Sequence, residues 1–269
     1  MAASSKRASR VKKRKEYEHH TGVCKKAKRN TFDTAGETDV IAQELGNRKK
    51  FHPHDLVDFK ALNPRQEDFL NAYFQDVPMI LVTGVPGSAK SWLSLRCALN
   101  DVVDPTTPYE RVIIVRSAVA TREIGHLKGS EQEKAEVYER PYEALASEIM
   151  PNFKNAYSHL KALGYVEFCL TSHLRGLTWD NAIVIFDEFQ SSTFHEINTV
   201  ITRIGEDSRI ILAGDINQND LTKKNDQTGF HRVLESMEKM KSKYTSHIHY
   251  GPEDCVRSGL VRDWILATY

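Results

Sequence analysis

The sequence predicts an α/β fold, a three-layer sandwich in which helices cover both faces of a mostly parallel sheet. The first observation is a set of short apolar runs without alternation, which is typical of parallel strands buried on both faces. They lie at residues 78–83, 111–115, 182–186 and 209–213. The second observation is that a loop and a stretch of helical character follow the first run. With 269 residues, 40% of them hydrophobic, the chain is also long enough to bury one sizeable core.

The first 30 residues predict a disordered basic tail. They hold eleven Lys and Arg against two Glu, a charge of +9, so the remaining chain carries −8 within a total of +1. The basic clusters 12–15 and 25–29 lack the apolar periodicity of a folded element. Three interpretations stay open: an arm that binds the phosphates of nucleic acid, a nuclear-import-like signal, or a solubilising tail.

Residues 31–60 are mixed in composition and predict a linker or N-terminal extension, so the folded domain is expected to span 61–269. A helix is predicted to begin near Asn63, because Pro64 suits its first turn and apolar residues follow at helical spacing. A long insertion at 121–178 separates the second and third strand-like runs. It predicts helical structure over 131–163 and a short strand at 165–170.

A candidate phosphate-binding loop follows the first strand-like run. Its residues are Gly84, Val85, Pro86, Gly87, Ser88, Ala89, Lys90 and Ser91. They nearly fit G-x-x-x-x-G-K-[ST], a loop whose backbone N–H groups wrap phosphates at a helix N-terminus. In that pattern Lys90 reaches the β- and γ-phosphates and Ser91 binds Mg²⁺. Ala89 stands where the second glycine is expected, and its backbone is strained if φ there is positive.

Two adjacent carboxylates follow the apolar run 182–186. A carboxylate at the end of a buried strand beside a phosphate loop is suited to Mg²⁺, which predicts a metal role for Asp187. Glu188 is then the candidate to polarise and orient the water that attacks the γ-phosphate. The plain alternative is that the pair only caps the next helix.

The run 209–213 ends in a polar segment that supplies a third candidate group. We expect Gln218 to hydrogen-bond the γ-phosphate or its attacking water and so to sense hydrolysis. An ordinary turn is the competing interpretation of this segment. Together the three motifs predict a single RecA-like P-loop NTPase domain that uses ATP and Mg²⁺.

The motifs resemble those of the PhoH-like ATPases, a family related to the superfamily-one helicases, along most of residues 61–265. Further segments that carry the resemblance are 63–66, 115–119, 125–129, 175–178 and 202–205. The chain departs from the family pattern at Ala89, at Leu177 in place of an arginine, and at Phe189 in place of an alanine.

The resemblance implies ATP hydrolysis linked to RNA or single-stranded nucleic acid. It implies an adenine-reading role for Gln66. It also places candidate contacts to a nucleic-acid strand in the segment after the second strand, at Arg116, Ser117, Thr121 and Arg122. For Arg116 a structural ion pair is the alternative.

The related helicases close ATP between two such domains, whereas one is predicted here. A neighbouring subunit is therefore expected to supply the second wall and an arginine, which predicts a homo-oligomeric ring, a hexamer, with a monomer of weak turnover as the alternative. Arg203 and Arg257 are the candidates for that arginine, and the resemblance favours Arg257.

Three functions from different classes remain open. The first is an ATP-driven motor or remodeller of RNA or single-stranded DNA, and the second is a nucleotide-binding ring scaffold or nucleic-acid binder with little turnover. The third is an ATP-regulated nuclease, but the sequence shows no separate cluster of carboxylates for a two-metal nuclease site. No apolar run suits a membrane span or a signal peptide, so we expect a cytoplasmic protein without a membrane partner. Compact size and the basic tail would suit a phage-encoded member.

Overall fold

A computed structural model of the chain describes residues 50–117, 131–174, 178–215, 228–240 and 242–269. The predicted basic tail, and residues 31–49 of the predicted linker, lie outside the described residues.

Six parallel strands form one sheet in the described part of the chain. They are β1 (Met79–Gly84), β2 (Arg111–Arg116), β3 (Val166–Leu170), β4 (Ala182–Asp187), β5 (Arg209–Gly214) and β6 (Thr245–Tyr250). Their order across the sheet is β3-β2-β4-β5-β1-β6. The predicted α/β fold is therefore confirmed, and β5 lies between β1 and β4, whose ends carry the phosphate loop and the acidic pair.

Seven α-helices occur in the described ranges: α1 (Pro64–Phe74), α2 (Lys90–Val103), α3 (Glu131–Ile149), α4 (Ala156–Ala162), α5 (Phe194–Ile201), α6 (Thr228–Lys239) and α7 (Leu260–Thr268). Short 3₁₀ helices lie at Pro53–Asp55, Thr171–His173, Phe189–Ser191, Ser242–Tyr244 and Pro252–Asp254. None of the described helices combines the length and apolar character needed to cross a bilayer.

The two faces of the sheet carry separate apolar cores. Alternate residues of one strand point to opposite faces, so Ile80 of β1 belongs to one core and Leu81 to the other. Helices α1 to α4 contribute to the first core, and helices α5 and α6 contribute to the second. The central strands β1, β2, β4 and β5 are buried on both sides, which explains their continuous apolar sequences.

The packed structure begins earlier than Ala61, where the sequence predicted its start. Phe51 and Leu56 are buried in the core of the first face. The Val57 N–H donates to the carbonyl of Ile149 (2.8 Å), and the Val57 carbonyl accepts from Arg96 Nε (2.8 Å). The last part of the predicted linker is therefore a structural part of the domain.

The insertion contains two helices where the sequence predicted helical structure over 131–163. Helix α3 ends at Ile149 and α4 begins at Ala156, with Pro151 and a left-handed Asn155 (φ 55°) between them. Proline and a positive φ each interrupt helical geometry, which accounts for the break. The short strand predicted at 165–170 is confirmed as β3.

Candidate functional site

The candidate site lies at the carboxyl ends of β1, β4 and β5. Ligands of open parallel sheets bind at this edge, where the loops that follow the strands converge. Gly84 ends β1, Asp187 ends β4 and Gly214 ends β5. Because β5 pairs with both neighbours, the phosphate loop and the acidic pair face each other across its end.

The backbone of the phosphate loop requires glycine at its first position. Gly84 has φ +123°, and a Cβ atom there would lie 1.9 Å from the carbonyl oxygen of Tyr250 on β6. The next residue, Val85, donates its N–H to the same carbonyl (3.2 Å). Gly87 has φ +74°. These glycines allow the chain to turn sharply from β1 into α2 while the loop stays attached to β6.

Ala89, the residue before α2, adopts the left-handed conformation with φ 64° and ψ 25°. The family pattern has glycine here, and glycine adopts this conformation without strain. The Cβ of Ala89 makes this backbone conformation costlier, by about 1–2 kcal/mol for an L-residue.

We expect Ala89→Gly to stabilise the protein by about 0.5–1 kcal/mol. Glycine relieves the backbone strain, and this gain exceeds the ~0.4–1 kcal/mol by which its greater conformational entropy stabilises the unfolded chain. Urea unfolding measures the change. Ala98→Gly is the matched control, since Ala98 is a buried residue inside α2 and glycine destabilises helix interiors. If both variants lose stability, Ala89 is not strained.

Lys90 places its ammonium group over the loop. Its Nζ donates to the carbonyls of Gly84 (2.8 Å) and Val85 (2.6 Å) and contacts Ser88 Oγ at 3.2 Å. Burial lowers the pKa of Lys90, and nearby carboxylates, Asp215 foremost, oppose this shift. The cation therefore lies against the backbone of the loop, which in loops of this pattern binds the phosphate chain of a nucleotide.

Ser91 and Asp187 meet as expected of a magnesium site. Ser91 Oγ donates to Asp187 Oδ1 at 2.9 Å, although 96 positions separate the two residues in sequence. Asp187 is 5% exposed at the end of β4. A hydroxyl and a carboxylate oxygen are hard ligands of the kind Mg²⁺ takes, directly or through its water. The residues present therefore fit a bound magnesium ion.

Glu188 adopts a strained conformation next to this pair, with φ 52° and ψ 37°. Burial and the charge of Asp187 raise the pKa of Glu188 above its ordinary value. Gln190 Nε2 donates to Glu188 Oε2 (2.6 Å), and Gln190 Oε1 accepts from the N–H of Asp215 (3.1 Å). Non-glycine residues in left-handed conformations concentrate at functional sites. Gln190, which sequence analysis missed, thus fixes this carboxylate against the end of β5.

The arrangement agrees with comparisons to known proteins. A family model described as PhoH-like protein matches residues 58–269, most of the chain.

The chain belongs to the PhoH family.

Curated relatives are similar at about 30% identity. Protein PhoH of Escherichia coli K12 is 32% identical over 208 residues, which cover 77% of this chain and 57% of that protein. A PhoH-like protein of Synechocystis is 33% identical over 194 residues, 71% of this chain and 57% of the relative. Protein PhoH2 of Bacillus subtilis is 30% identical over 151 residues, 54% of this chain and 34% of the relative. The chain thus spans little more than half the length of the first of these relatives. Family membership and the loop together make it a PhoH-like nucleotide-binding protein.

In this PhoH-family chain, Gln66 is bonded to main-chain groups on both sides of its amide. Nε2 donates to the Ser88 carbonyl (3.3 Å) and Oε1 accepts from the Leu62 N–H (2.9 Å). The side chain is 3% exposed. These contacts attach the start of α1 to the phosphate loop. We therefore expect Gln66 to position the loop, and the adenine-reading role that the resemblance implies stays a prediction.

Gln66→Ala is expected to weaken binding of ATP and GTP by a similar factor, roughly 3- to 10-fold, since each loses the same loop support. Titration of fluorescent derivatives of both nucleotides measures the ratio. Gln75→Ala, at an exposed glutamine after α1, is the control. A selective loss of ATP binding with GTP binding retained would restore the adenine-reading role.

Arg116 and Ser117, the candidate nucleic-acid contacts that the structure describes, are engaged inside the PhoH domain. Arg116 NH1 donates to the phenol oxygen of Tyr142 (3.5 Å), and Ser117 Oγ donates to Glu196 Oε1 (3.0 Å). Ser117 is 7% exposed. Arg116 has only this long contact and no ion pair among the described residues, so its nucleic-acid and structural interpretations both stay open. Other predicted contributors lie outside the described residues: Gln218, Thr121, Arg122 and the segments 125–129 and 175–177.

The two candidate arginines of the PhoH domain lie at opposite edges of the sheet. A Cβ atom on Gly87 would lie 2.9 Å from Arg257 Cγ, so Arg257 packs against the phosphate loop of its own chain. The carbonyl of Arg203 accepts from the Trp179 N–H (2.8 Å), ahead of β4. The backbone of Arg203 therefore lies near the amino end of β4, whereas the candidate site lies at the carboxyl ends of the strands.

Proposed function

We propose that this PhoH-family protein hydrolyses ATP with Mg²⁺ as cofactor. The observation that carries the proposal is the 2.9 Å contact between Ser91 of the phosphate-loop helix and Asp187 of β4. It joins the phosphate loop to the acidic pair and brings Glu188 to the same edge of the sheet. Phosphate binding, metal binding and water activation are thereby assigned to neighbouring groups.

Each residue has a distinct task in the proposed reaction. Backbone N–H groups of the loop and the Lys90 ammonium bind the β- and γ-phosphates. Ser91 and Asp187 hold Mg²⁺, which when bound neutralises charge developing on the phosphates. Glu188 accepts a hydrogen bond from the attacking water and takes its proton.

We further propose a nucleic-acid partner, RNA or single-stranded DNA, whose binding alters turnover. Support comes from the family resemblance and from the charge of +9 in the first 30 residues, which can bind phosphates. Ser117 is buried and bonded to Glu196, so Arg116, Thr121 and Arg122 are the sequence candidates to which we assign the contacts.

A ring of subunits is the proposed assembly, and a hexamer is the expected number. Closed rings use head-to-tail interfaces, in which two different surfaces of the subunit meet. Arg257, beside its own phosphate loop, is placed to act on nucleotide bound by the same chain. Arg203 lies at the opposite end of the sheet, where its Nε is buried without a hydrogen-bond partner among the described residues, whereas Arg257 is exposed, so both stay candidates to reach a neighbour's nucleotide.

The second candidate function is a nucleotide-binding scaffold or nucleic-acid binder with little turnover. The observation that favours it is the left-handed Ala89 (φ 64°), whose strain at the helix N-terminus can weaken phosphate binding. ATP hydrolysis by the purified full chain, with and without single-stranded RNA or DNA, separates the two. We expect turnover that rises with nucleic acid. ATP binding without turnover in either condition would favour the scaffold.

A further inference from the structure

Helix α3 of the insertion places a tyrosine in contact with Asp187, the carboxylate assigned to Mg²⁺. Tyr142, 2% exposed, donates its hydroxyl to Asp187 Oδ2 at 2.8 Å. The other oxygen of this carboxylate, Oδ1, accepts from Ser91 Oγ. The two oxygens of Asp187 are therefore held from two directions, one by the helix of the phosphate loop and one by the insertion. A carboxylate with both oxygens fixed has one available orientation.

The phenol also has a partner on its other side. Arg116 NH1, at the end of β2, donates to the Tyr142 oxygen at 3.5 Å, the long end of hydrogen-bond distances. Arg116, Tyr142 and Asp187 thus form a chain from β2 to β4 in which the phenol accepts from the guanidinium and donates to the carboxylate.

We propose that Tyr142 is a positioning residue that sets the magnesium affinity of the site by holding Asp187 in its metal-binding orientation. The inference rests on the proposed function, since it assigns Asp187 to Mg²⁺. Groups that bond to metal ligands from outside commonly change metal affinity or activity 10- to 100-fold when removed. The hydrogen bonds described for the Tyr142 hydroxyl join it to Arg116 and Asp187 and not to the phosphate loop, so we expect its removal to affect Mg²⁺ binding more than nucleotide binding.

The test compares Tyr142→Phe with the wild-type full chain by titrating Mg²⁺ into protein that holds a fluorescent ADP. Tyr157→Phe is the matched control, because Tyr157 is also a buried helical tyrosine, and its hydroxyl has no hydrogen-bond partner among the described residues. We expect the half-saturating Mg²⁺ concentration to rise about tenfold in Tyr142→Phe and to stay unchanged in Tyr157→Phe. Affinity for fluorescent ADP in EDTA should be the same for all three proteins.

An unchanged Mg²⁺ titration in Tyr142→Phe would overturn the inference. Equal losses of ADP affinity with and without Mg²⁺, together with a lower melting temperature, would also overturn it, because they would show a structural role only. Asp187→Asn supplies a second check: if Tyr142 acts through Asp187, adding Tyr142→Phe to Asp187→Asn should cause no further change. If wild-type protein binds ADP and Mg²⁺ without hydrolysing ATP, the proposed hydrolysis is refuted. The Mg²⁺ titration would still decide whether Tyr142 sets the magnesium affinity.

Discussion

Glu188→Gln is expected to lower ATP turnover by about 100-fold or more while nucleotide binding persists, because a general base contributes ~10²–10⁴-fold to rate. Glutamine keeps the size of the side chain but is not a base. The contact with Gln190 can survive the change, since an amide oxygen also accepts a hydrogen bond from Nε2. Steady-state phosphate release measures turnover, and fluorescent ATP binding measures affinity.

The control for this variant is Glu206→Gln, at an exposed glutamate ahead of β5 and away from the carboxyl edge of the sheet. It should retain wild-type turnover. If Glu188→Gln kept more than about a tenth of wild-type activity, a loss far below that of a general base, Glu188 would not activate the water. A group other than Glu188 would then have to act as the base for the attacking water, while Ser91, Asp187 and Lys90 would keep their assigned metal and phosphate contacts.

Arg209→Met is expected to destabilise the fold by about 3–5 kcal/mol, the cost of breaking a buried ion pair from one side. Arg209 is 2% exposed at the start of β5, and its NH2 donates to Asp101 Oδ2 at 2.8 Å. Its NH1 donates to the backbone carbonyl of Tyr73 (2.8 Å), and the guanidinium carbon lies 3.9 Å from the centre of the Tyr73 ring. Methionine fills much of the volume but leaves the carboxylate of Asp101 poorly compensated.

Urea unfolding gives the free-energy difference, provided that the slope with denaturant is unchanged. Arg65→Met is the control, because the pair of Arg65 with Asp68 is about half exposed on both sides and exposed pairs contribute roughly 0–1 kcal/mol. A loss in Arg209→Met no larger than that of the control would show that the buried pair does not hold α1, α2 and β5 together.

Four of the five strands that sequence analysis located are those whose burial leaves a continuous apolar signal, and the fifth, β3, lies at an edge of the sheet. Strands β1, β2, β4 and β5 are central and buried on both faces. Strand β6 was not predicted, because an edge strand has only part of its surface covered. Its Ile248 and Tyr250 are buried while His247 and His249 are exposed, so polar and apolar residues alternate. Helix α7 also escaped prediction.

The residues of the site also divide into those that local sequence patterns predict and those that only tertiary packing brings together. Lys90, Ser91 and Asp187 were predicted because loop spacing and strand ends are local patterns. Gln190 and Tyr142 were missed, although both hold the acidic pair in place. Tyr142 lies 45 residues from Asp187, and only the packing of the insertion against the sheet brings them together. The role of Gln66 was predicted from resemblance, whereas its contacts to Ser88 and Leu62 depend on how α1 meets the loop.

The most direct test of the proposed ATPase is the rate of phosphate release from ATP by the purified wild-type chain, in Mg²⁺ and in EDTA. We predict turnover in Mg²⁺ that EDTA abolishes, since Ser91 and Asp187 are assigned to the metal. Phosphate release at the level of a protein-free blank in both conditions, from protein that demonstrably binds ATP, would contradict the proposed hydrolysis.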